Sequence, residues 1–237
     1  MDVMALFSSN ISNNYIIGKL LIIPGLIFFF SFRGYFQAWT AKKLGDNLPA
    51  SMGFLTMNPL AHIDIIGFIC MILVGFGFGK PIQFDSRNYK NIKRDGAIQI
   101  LSAPLAGLIV AFVMYFFYEV CLLIGYYSNL FSNDTFNILL LIFYLAFHLS
   151  ISLTIFLFLP LPGFDSYRLI ANFLPYRHYR KLYTIEKYSL FIFLGFIFLL
   201  QAPGIGDALS LYLIDIPTGY LASIISAPWR FLFGLFV

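Results

Sequence analysis

The sequence predicts an all-α protein of one domain, residues 1–237, that crosses a membrane about five times. Three observations carry this prediction: 60% of the residues are hydrophobic, only 11% are charged, and long apolar segments recur along the chain. Soluble domains average about a quarter charged residues, so a surface this poor in charge is not one that faces water. A polytopic membrane protein is the class that fits.

Five segments are apolar enough to predict transmembrane helices. They are residues 15–32, 98–126, 136–159, 188–201 and about 208–225. The fourth has a short apolar core and would have to tilt or extend. The fifth is interrupted by Asp215 and Pro217, so its register is the least defined. The first is expected to be retained as a span, because residues 1–14 lack the basic stretch of a signal peptide.

A sixth apolar segment, residues 63–78, is short and rich in glycine, and it either spans the membrane or re-enters it. Charge favours re-entry, because Lys- and Arg-rich loops lie in the cytoplasm. Lys42, Lys43 and the basic loops 80–95 and 163–187 all reach the cytoplasm if the N-terminus is outside and this segment returns to its own side. A full span would place one basic loop on the wrong face.

A short β-hairpin that dips into the membrane is predicted beside this segment. Residues 52–59 have no helical pattern and end in Asn-Pro, a turn signal, so they are interpreted as a strand. Residues 75–82 contain three glycines that permit close backbone approach, and they are the expected partner strand. Such backbone is tolerated at membrane depth only where protein or water satisfies it.

The remaining potential ligands do not predict a cofactor. Cys70 and Cys121 lie in apolar segments without disulfide or metal spacing. His62 is expected to hydrogen-bond a buried turn, His148 to bond between helices, and His178 to be solvated. The histidines have no helix-face metal spacing, and the net charge of +4 belongs to cytoplasmic loops rather than to a nucleic-acid interface.

Two motifs carry a family resemblance. RGYFQAW at residues 33–39 and PLPGFD at 160–165 align with the two signatures of the site-2 protease family of intramembrane zinc proteases. Residues 55–64, 77–82 and 102–107 follow that family's further blocks in the same order, and the match is closest to its compact bacterial branch. The collinear order makes the resemblance specific, although Gly107 stands where the family usually has Asn.

The resemblance implies a zinc site whose chemistry this chain has lost. The family's first motif is His-Glu-x-x-His, with two zinc ligands and a general base on one helix face. Those positions hold Arg33, Gly34 and Gln37 here, and only Asp165 remains of the implied ligand set. A guanidinium has no lone pair to donate, an amide is a poor zinc ligand, and glycine has no side chain. We therefore expect no catalytic residue and no metal at these degenerate positions.

The arginine at the first of these positions is expected to form a buried ion pair. A charge inside a bilayer is costly unless it is paired. The family geometry would place Arg33 next to Asp165, with the guanidinium standing where zinc stood and Gln37 donating to the same carboxylate. The alternative is that Arg33 snorkels to the interface and that Asp165 only caps the helix after it.

The resemblance also implies a groove for other proteins beside the dipping strand. Active relatives hold an unwound substrate segment there by strand addition, which uses main-chain hydrogen bonds and does not need catalytic residues. The residues expected to line this partner-binding groove are Gly53, Phe54, Leu55, Thr56, Met57, Asn58, Pro160 and Pro162.

These observations predict a pseudoprotease, a family member that is not an enzyme. It would bind other membrane proteins in the bilayer as a scaffold, assembly or stabilising subunit of a larger membrane complex, in the bacterial cytoplasmic (inner) membrane. The alternative is a functional zinc-dependent intramembrane metalloprotease with unusual ligands that cleaves transmembrane segments. A transporter or channel has less support, because repeated halves with paired broken helices are not visible in the sequence.

Overall fold

The computed structural model describes residues 15–74 and 78–236. The expected outside location of the N-terminus concerns residues 1–14, and part of the expected second strand concerns residues 75–77; both lie outside the described residues. The helices are α1 (Tyr15–Leu44), α2 (Leu48–Ser51), α3 (Pro59–His62), α4 (Ile65–Val74), α5 (Ile92–Ser128), α6 (Asp134–Leu157), α7 (Asp165–Phe173), α8 (Tyr179–Lys187), α9 (Ser189–Leu200), α10 (Ile205–Ser210) and α11 (Ile216–Phe233). Short 3₁₀ turns lie at Ser86–Asn88, Leu130–Ser132 and Tyr176–His178, and a π-helical turn, Leu211–Asp215, joins α10 to α11.

Small residues bring α1, α5 and α6 into close contact. A Cβ on Gly107 of α5 would overlap Thr154 Oγ1 of α6 and lie 2.9 Å from the Phe29 ring of α1. Gly25 of α1 fits against Ala146 of α6 in the same way. Membrane helices associate through such close packing because lipid provides no hydrophobic drive between them. The three helices form the centre of the bundle.

An asparagine-rich turn joins α5 to α6 antiparallel. Asn129 adopts the left-handed conformation, with φ of 51°, and ends α5. The Asn133 side chain accepts hydrogen bonds from the backbone N–H groups of Thr135 and Phe136 and so caps the start of α6. The turn therefore lies at the opposite end of the bundle from the start of α5.

Four helical segments are long and apolar enough to cross a membrane. They are Leu20–Leu44, Ile92–Ser128, Asp134–Leu157 and Ile205–Phe233. Helices α8 and α9 form a pair bent by 57°, which makes five spans if the pair counts as one. The all-α multi-pass class is thereby supported with four candidate spans, and the fifth expected span, residues 188–201, lies in the bent pair, which is a broken span or a re-entrant loop.

Helix α1 extends well beyond the apolar stretch 15–32 that predicted the first span. Helix α1 continues to Leu44 and ends where Gly45 takes a φ of 109°. The charge at Arg33 does not end it, because that side chain has a partner within the fold. Arg33, Gly34 and Gln37 consequently lie inside one continuous helix.

Hydrogen bonds gather the basic segments at one end of the bundle, here called the basic end. Buried Asp46, just after α1, accepts from the backbone N–H of Asp85 at 2.8 Å. Asn172 Nδ2 of α7 donates to the Lys93 carbonyl at 2.6 Å. The end of α1, the loop 80–95 and the loop 163–187 therefore meet, which agrees with one shared side of the membrane.

Re-entry of the segment 63–78 stays a prediction, and its described ends are compatible with it. Its helix α4 has 10 residues, a rise of about 15 Å, which is half of the roughly 30 Å hydrocarbon core. Ile63 and Gly79 form an antiparallel bridge, and the Lys80 N–H donates to the His62 carbonyl at 2.7 Å. The two ends of the segment lie side by side, as entry and exit on the same side require.

The strand predicted over residues 52–59 is wrong. These residues form a turn between α2 and α3, and in the described residues the strand pairing is confined to the isolated Ile63–Gly79 bridge. Gly53 has a φ of 83°, Thr56 Oγ1 accepts from the Asn58 N–H, and Asn58 Oδ1 accepts from the Leu60 N–H. Such local side-chain bonds compete with a strand ladder for the backbone.

The last helix crosses the outside of α5 and α6. Ser152 and Thr218 are hydrogen-bonded across α6 and α11 at 3.3 Å, and Trp229 Nε1 donates to the Phe112 carbonyl at 3.0 Å. Tyr127 Oη donates to the Phe236 carbonyl, so the chain ends at the opposite end of the bundle from the basic end. The π-helical turn carries the helix past the interruption at Asp215.

The close contact at Gly107 predicts a large effect of substitution. Gly107→Val should lower the thermal unfolding midpoint in detergent, because its side chain would overlap Thr154 and Phe29; overpacking of this kind costs about 1–3 kcal/mol. The matched control is Gly195→Val in α9, where an added Cβ meets nothing within 4 Å. Equal midpoints for the two variants would contradict the proposed packing of α1, α5 and α6.

Candidate functional site

The structure brings together Arg33, which opens the first motif, and Asp165, which closes the second. Arg33 Nη2 of α1 donates to Asp165 Oδ2 at the start of α7, in an ion pair whose side chains are 17% and 7% exposed. A turn that contains Gly163, with a φ of 91°, delivers Asp165 to this position. Arg33 is therefore paired with Asp165 and largely buried within the protein.

Burial makes this pair sensitive to the loss of either member. Two charges removed from water gain stability mainly by their mutual attraction and hydrogen bonds, and removal of one partner leaves an uncompensated charge. The expected bond from Gln37 to the same carboxylate is not present among the described residues. The Gln37 side chain, 4% exposed, instead forms part of a cavity wall.

The ring of His62 occupies the space beside Gly34. A Cβ on Gly34 would overlap His62 Nδ1, so a larger side chain there would have to displace the ring. His62 Nε2 donates to the Thr56 carbonyl at 2.7 Å, and Nδ1 is buried without a hydrogen-bond partner. Burial lowers the pKa of His62, and the bond to Thr56 opposes that shift. The ring is thus neutral, with its proton on Nε2 and a bare lone pair on Nδ1.

A cavity of about 260 Å³ adjoins the ion pair at the basic end. Its walls come from α1, the segment after α4, the turn before α7, and α9. The lining residues are Arg33, Gln37, Phe78, Gly79, Lys80, Pro81, Ile82, Leu157, Pro162, Gly163, Phe164, Asp165, Arg168, Ser189, Leu190 and Phe193. The lining therefore combines charged side chains with apolar ones.

The partner-binding groove stays a prediction, and the cavity coincides with little of it. Of the eight residues expected to line it, all of them described, only Pro162 lines the cavity, and Pro160 is exposed. Residues 53–58 lie elsewhere because they fold as a turn: Phe54 is buried in a cluster with Ala38 and Ile82. Gly53, Leu55, Thr56, Met57 and Asn58 share that turn.

The residues at the site do not fit the zinc ion that the family implies. A catalytic zinc needs three protein ligands and an open position for water. Asp165 is bonded to a guanidinium, and His62 offers one lone pair. Among residues 15–74 and 78–236, His, Cys, Asp and Glu side chains do not form a group of three that could hold a metal ion. The mismatch lies in the donor chemistry of the residues themselves.

Several cavity residues were not recognised from the sequence. Lys80, which stands in the family block 77–82, and Arg168 were given a role only as markers of the cytoplasmic side, and Ser189 and Phe193 of α9 carried no motif. His62 was expected to bond a turn, which it does, but its contact with Gly34 was not foreseen. The one available signal was the glycine itself, because a missing side chain inside a helix bundle leaves a volume that a neighbour must fill.

Comparison with known proteins identifies the family. Over 179 residues the chain is 32% identical to "Putative zinc metalloprotease YwhC" of Bacillus subtilis (strain 168), an alignment that covers 73% of this chain and 78% of the relative. Family models and solved structures do not match the chain. The chain belongs to the site-2 protease family, and the resemblance carried by its motifs is confirmed.

The ion pair predicts strong coupling between its two members. Arg33→Ala and Asp165→Ala should each lower the free energy of unfolding by about 3–5 kcal/mol, because each leaves one buried charge unpaired. The double variant should lose less than the sum of the two. Unfolding in mild detergent, followed by tryptophan fluorescence, measures the cycle.

The control cycle uses the pair Arg87–Asp85, in which the arginine side chain is 87% exposed. Water and salt screen an exposed pair, so Arg87→Ala and Asp85→Ala should show no measurable coupling. Equal coupling in the two cycles would contradict a special role of the buried pair.

Proposed function

We propose that the chain is a pseudoprotease, a site-2 protease family member that binds membrane proteins and does not hydrolyse them. The observation that carries this proposal is the ion pair between Arg33 and Asp165. Asp165 is the one family ligand that the sequence retains, and its carboxylate is bonded to a fixed positive charge. The guanidinium would repel a divalent cation, so the pair and a zinc ion compete for the same carboxylate.

Packing supports the same proposal independently of charge. Hydrolysis by this family's chemistry needs a base beside the first zinc ligand to take a proton from the bound water. Gly34 has no such group, and the His62 ring fills the adjoining space. Nδ1 of His62 could accept a proton, but the bond to the Thr56 carbonyl holds the ring in the α3 turn. The described residues also lack a group of metal ligands that would place a metal-bound water beside it.

The last helix supports binding to other membrane proteins. Only 17% of the apolar window in Ile205–Phe233 is buried, against 39–44% in the other three spanning segments. Arg230 is exposed on this face and donates to Ser226 Oγ at 2.7 Å. A spanning helix with so little burial inside the fold leaves most of its surface to lipid or to another membrane protein. We therefore assign partner contact to α11 rather than to the turn at 53–58.

The proposed setting is a multi-pass protein of a bacterial cytoplasmic membrane, within a larger complex. The positive-inside rule puts the basic end, with its loops 80–95 and 163–187, in the cytoplasm. The N-terminus is then outside, as α1 ends at the basic end. The bacterial source of the relative supports this setting.

Metal content tests the absence of hydrolysis. Purified wild-type protein should contain no stoichiometric zinc and should not cleave a transmembrane substrate, because the donors are missing. The positive control restores them in two steps: R33H/G34E/Q37H alone, and the same three with His62→Ala. Only the second should take up zinc at about one ion per chain, since the His62 ring blocks a side chain at position 34.

The competing function is a working zinc protease, which the printed name of the relative favours. One zinc per wild-type chain that is lost on Asp165→Ala would establish it and refute the pseudoprotease. Zinc uptake by the three-residue variant with His62 in place would refute the packing argument alone.

Partner contact is tested by crosslinking from two matched positions. Phe231 of α11 is 76% exposed and Phe198 of α9 is 81% exposed. A photoreactive amino acid at position 231, in cells that express the protein, should crosslink to another membrane protein, and at position 198 it should yield lipid adducts. Equal protein crosslinking at both positions, or none at 231, would contradict the assignment to α11.

A further inference from the structure

The cavity beside the ion pair has more positive than negative charge. Arg33, Lys80 and Arg168 line it together with a single carboxylate, Asp165. That carboxylate is already bonded to Arg33. In the part of the chain that the structure describes, the side chains of Lys80 and Arg168 take part in no ion pair. Arg168 is half-buried and Lys80 is exposed, so the cavity has an excess of positive charge that an anion would compensate.

The cavity also presents hydrogen-bond donors that the fold leaves unused. Gln37, 4% exposed, lines the cavity, and its side chain makes no hydrogen bond among the described residues. Arg33 carries five N–H donors, of which one bonds Asp165. A ligand with several acceptor oxygens would satisfy the amide and the guanidinium together.

The size and walls of the cavity narrow the class of anion. Its volume of about 260 Å³ lies below the roughly 300–1,000 Å³ of pockets for drug-sized ligands, so it suits a headgroup-sized ligand. Leu157, Leu190 and Phe193 form apolar walls, and Leu190, 56% exposed on α9, opens the cavity toward the surroundings of the bundle. A charged end beside an apolar wall matches an amphiphile whose polar end is anionic.

Because basic side chains and apolar walls line the same cavity, we propose that it binds the phosphate of an anionic phospholipid headgroup. Phosphate oxygens accept bonds from guanidinium, ammonium and amide groups at once. The basic end lies where basic side chains meet anionic headgroups. The proposal does not rest on the proposed function, because phosphate binding and proteolysis are separate measurements.

The test uses the full chain, stripped of lipid in detergent, and measures the thermal unfolding midpoint during titration. The probes are phosphatidylglycerol, diacylglycerol with the same acyl chains, inorganic phosphate, and a short peptide with a free C-terminal carboxylate. Phosphatidylglycerol should raise the midpoint in a saturable manner and diacylglycerol should not. K80A/R168A should weaken the apparent affinity by about tenfold or more, because two charge-assisted contacts are lost.

The matched control is K90A/R94A, which removes the same two charges from exposed positions of the basic end outside the cavity. It should keep the wild-type affinity. Gln37→Met changes no charge and should still weaken phosphatidylglycerol binding several-fold. If K80A/R168A does not fold, an unchanged affinity in Gln37→Met would overturn the proposal.

Each remaining result has a defined meaning. A response to inorganic phosphate equal to that of phosphatidylglycerol would support the phosphate site and assign its source to free phosphate. Equal losses in K80A/R168A and K90A/R94A would overturn the proposal in favour of general surface attraction. A response to the carboxylate peptide alone, or to none of the probes, would also overturn it.

Discussion

The ion pair between Arg33 and Asp165 is the contact on which the site depends. Two buried charges are tolerated only together, so the pair holds the start of α7 against the middle of α1. The turn before α7 then forms one wall of the cavity, and the loop 163–187 is drawn toward the basic end. The same bond takes up the carboxylate that a metal would need and leaves the other cations of the cavity without a counter-charge. One interaction thereby links the architecture, the mismatch with zinc and the positive cavity.

The packing around Gly34 shows that the degenerate motif is more than a set of missing ligands. Without a side chain at that position, the His62 ring can lie directly against α1 and complete the packing of a helix bundle. The ring is held by the Thr56 carbonyl, so the short turn between α2 and α3 is part of the same arrangement. A glutamate placed at position 34 would collide with this ring. A side chain at position 34 would therefore require the His62 ring to move as well.

The long helices were predictable because apolar length is a local property of the chain. The expected spans at 98–126 and 136–159 lie within or nearly within α5 and α6. Helix α1 continues past the apolar stretch 15–32, because a distant aspartate makes the charge of Arg33 acceptable inside the helix. The strand at 52–59 was misplaced because Thr56 and Asn58 bond the nearby backbone and form a turn. Part of the site was predictable, since the meeting of Arg33 and Asp165 follows from the family alignment, but the groove residues were not.

The sequence by itself determined the class of the protein, its family and the loss of the zinc ligands, because side-chain chemistry and apolar length do not depend on distant contacts. An arginine cannot donate a lone pair in any fold. Only the tertiary structure decided that His62 fills the space at Gly34, that Lys80 and Arg168 share a cavity with Gln37, and that residues 53–58 lie away from it. These contacts join segments that are far apart in the chain. Helix packing and the hydrogen bonds of Asp46 and Asn172 bring those segments together.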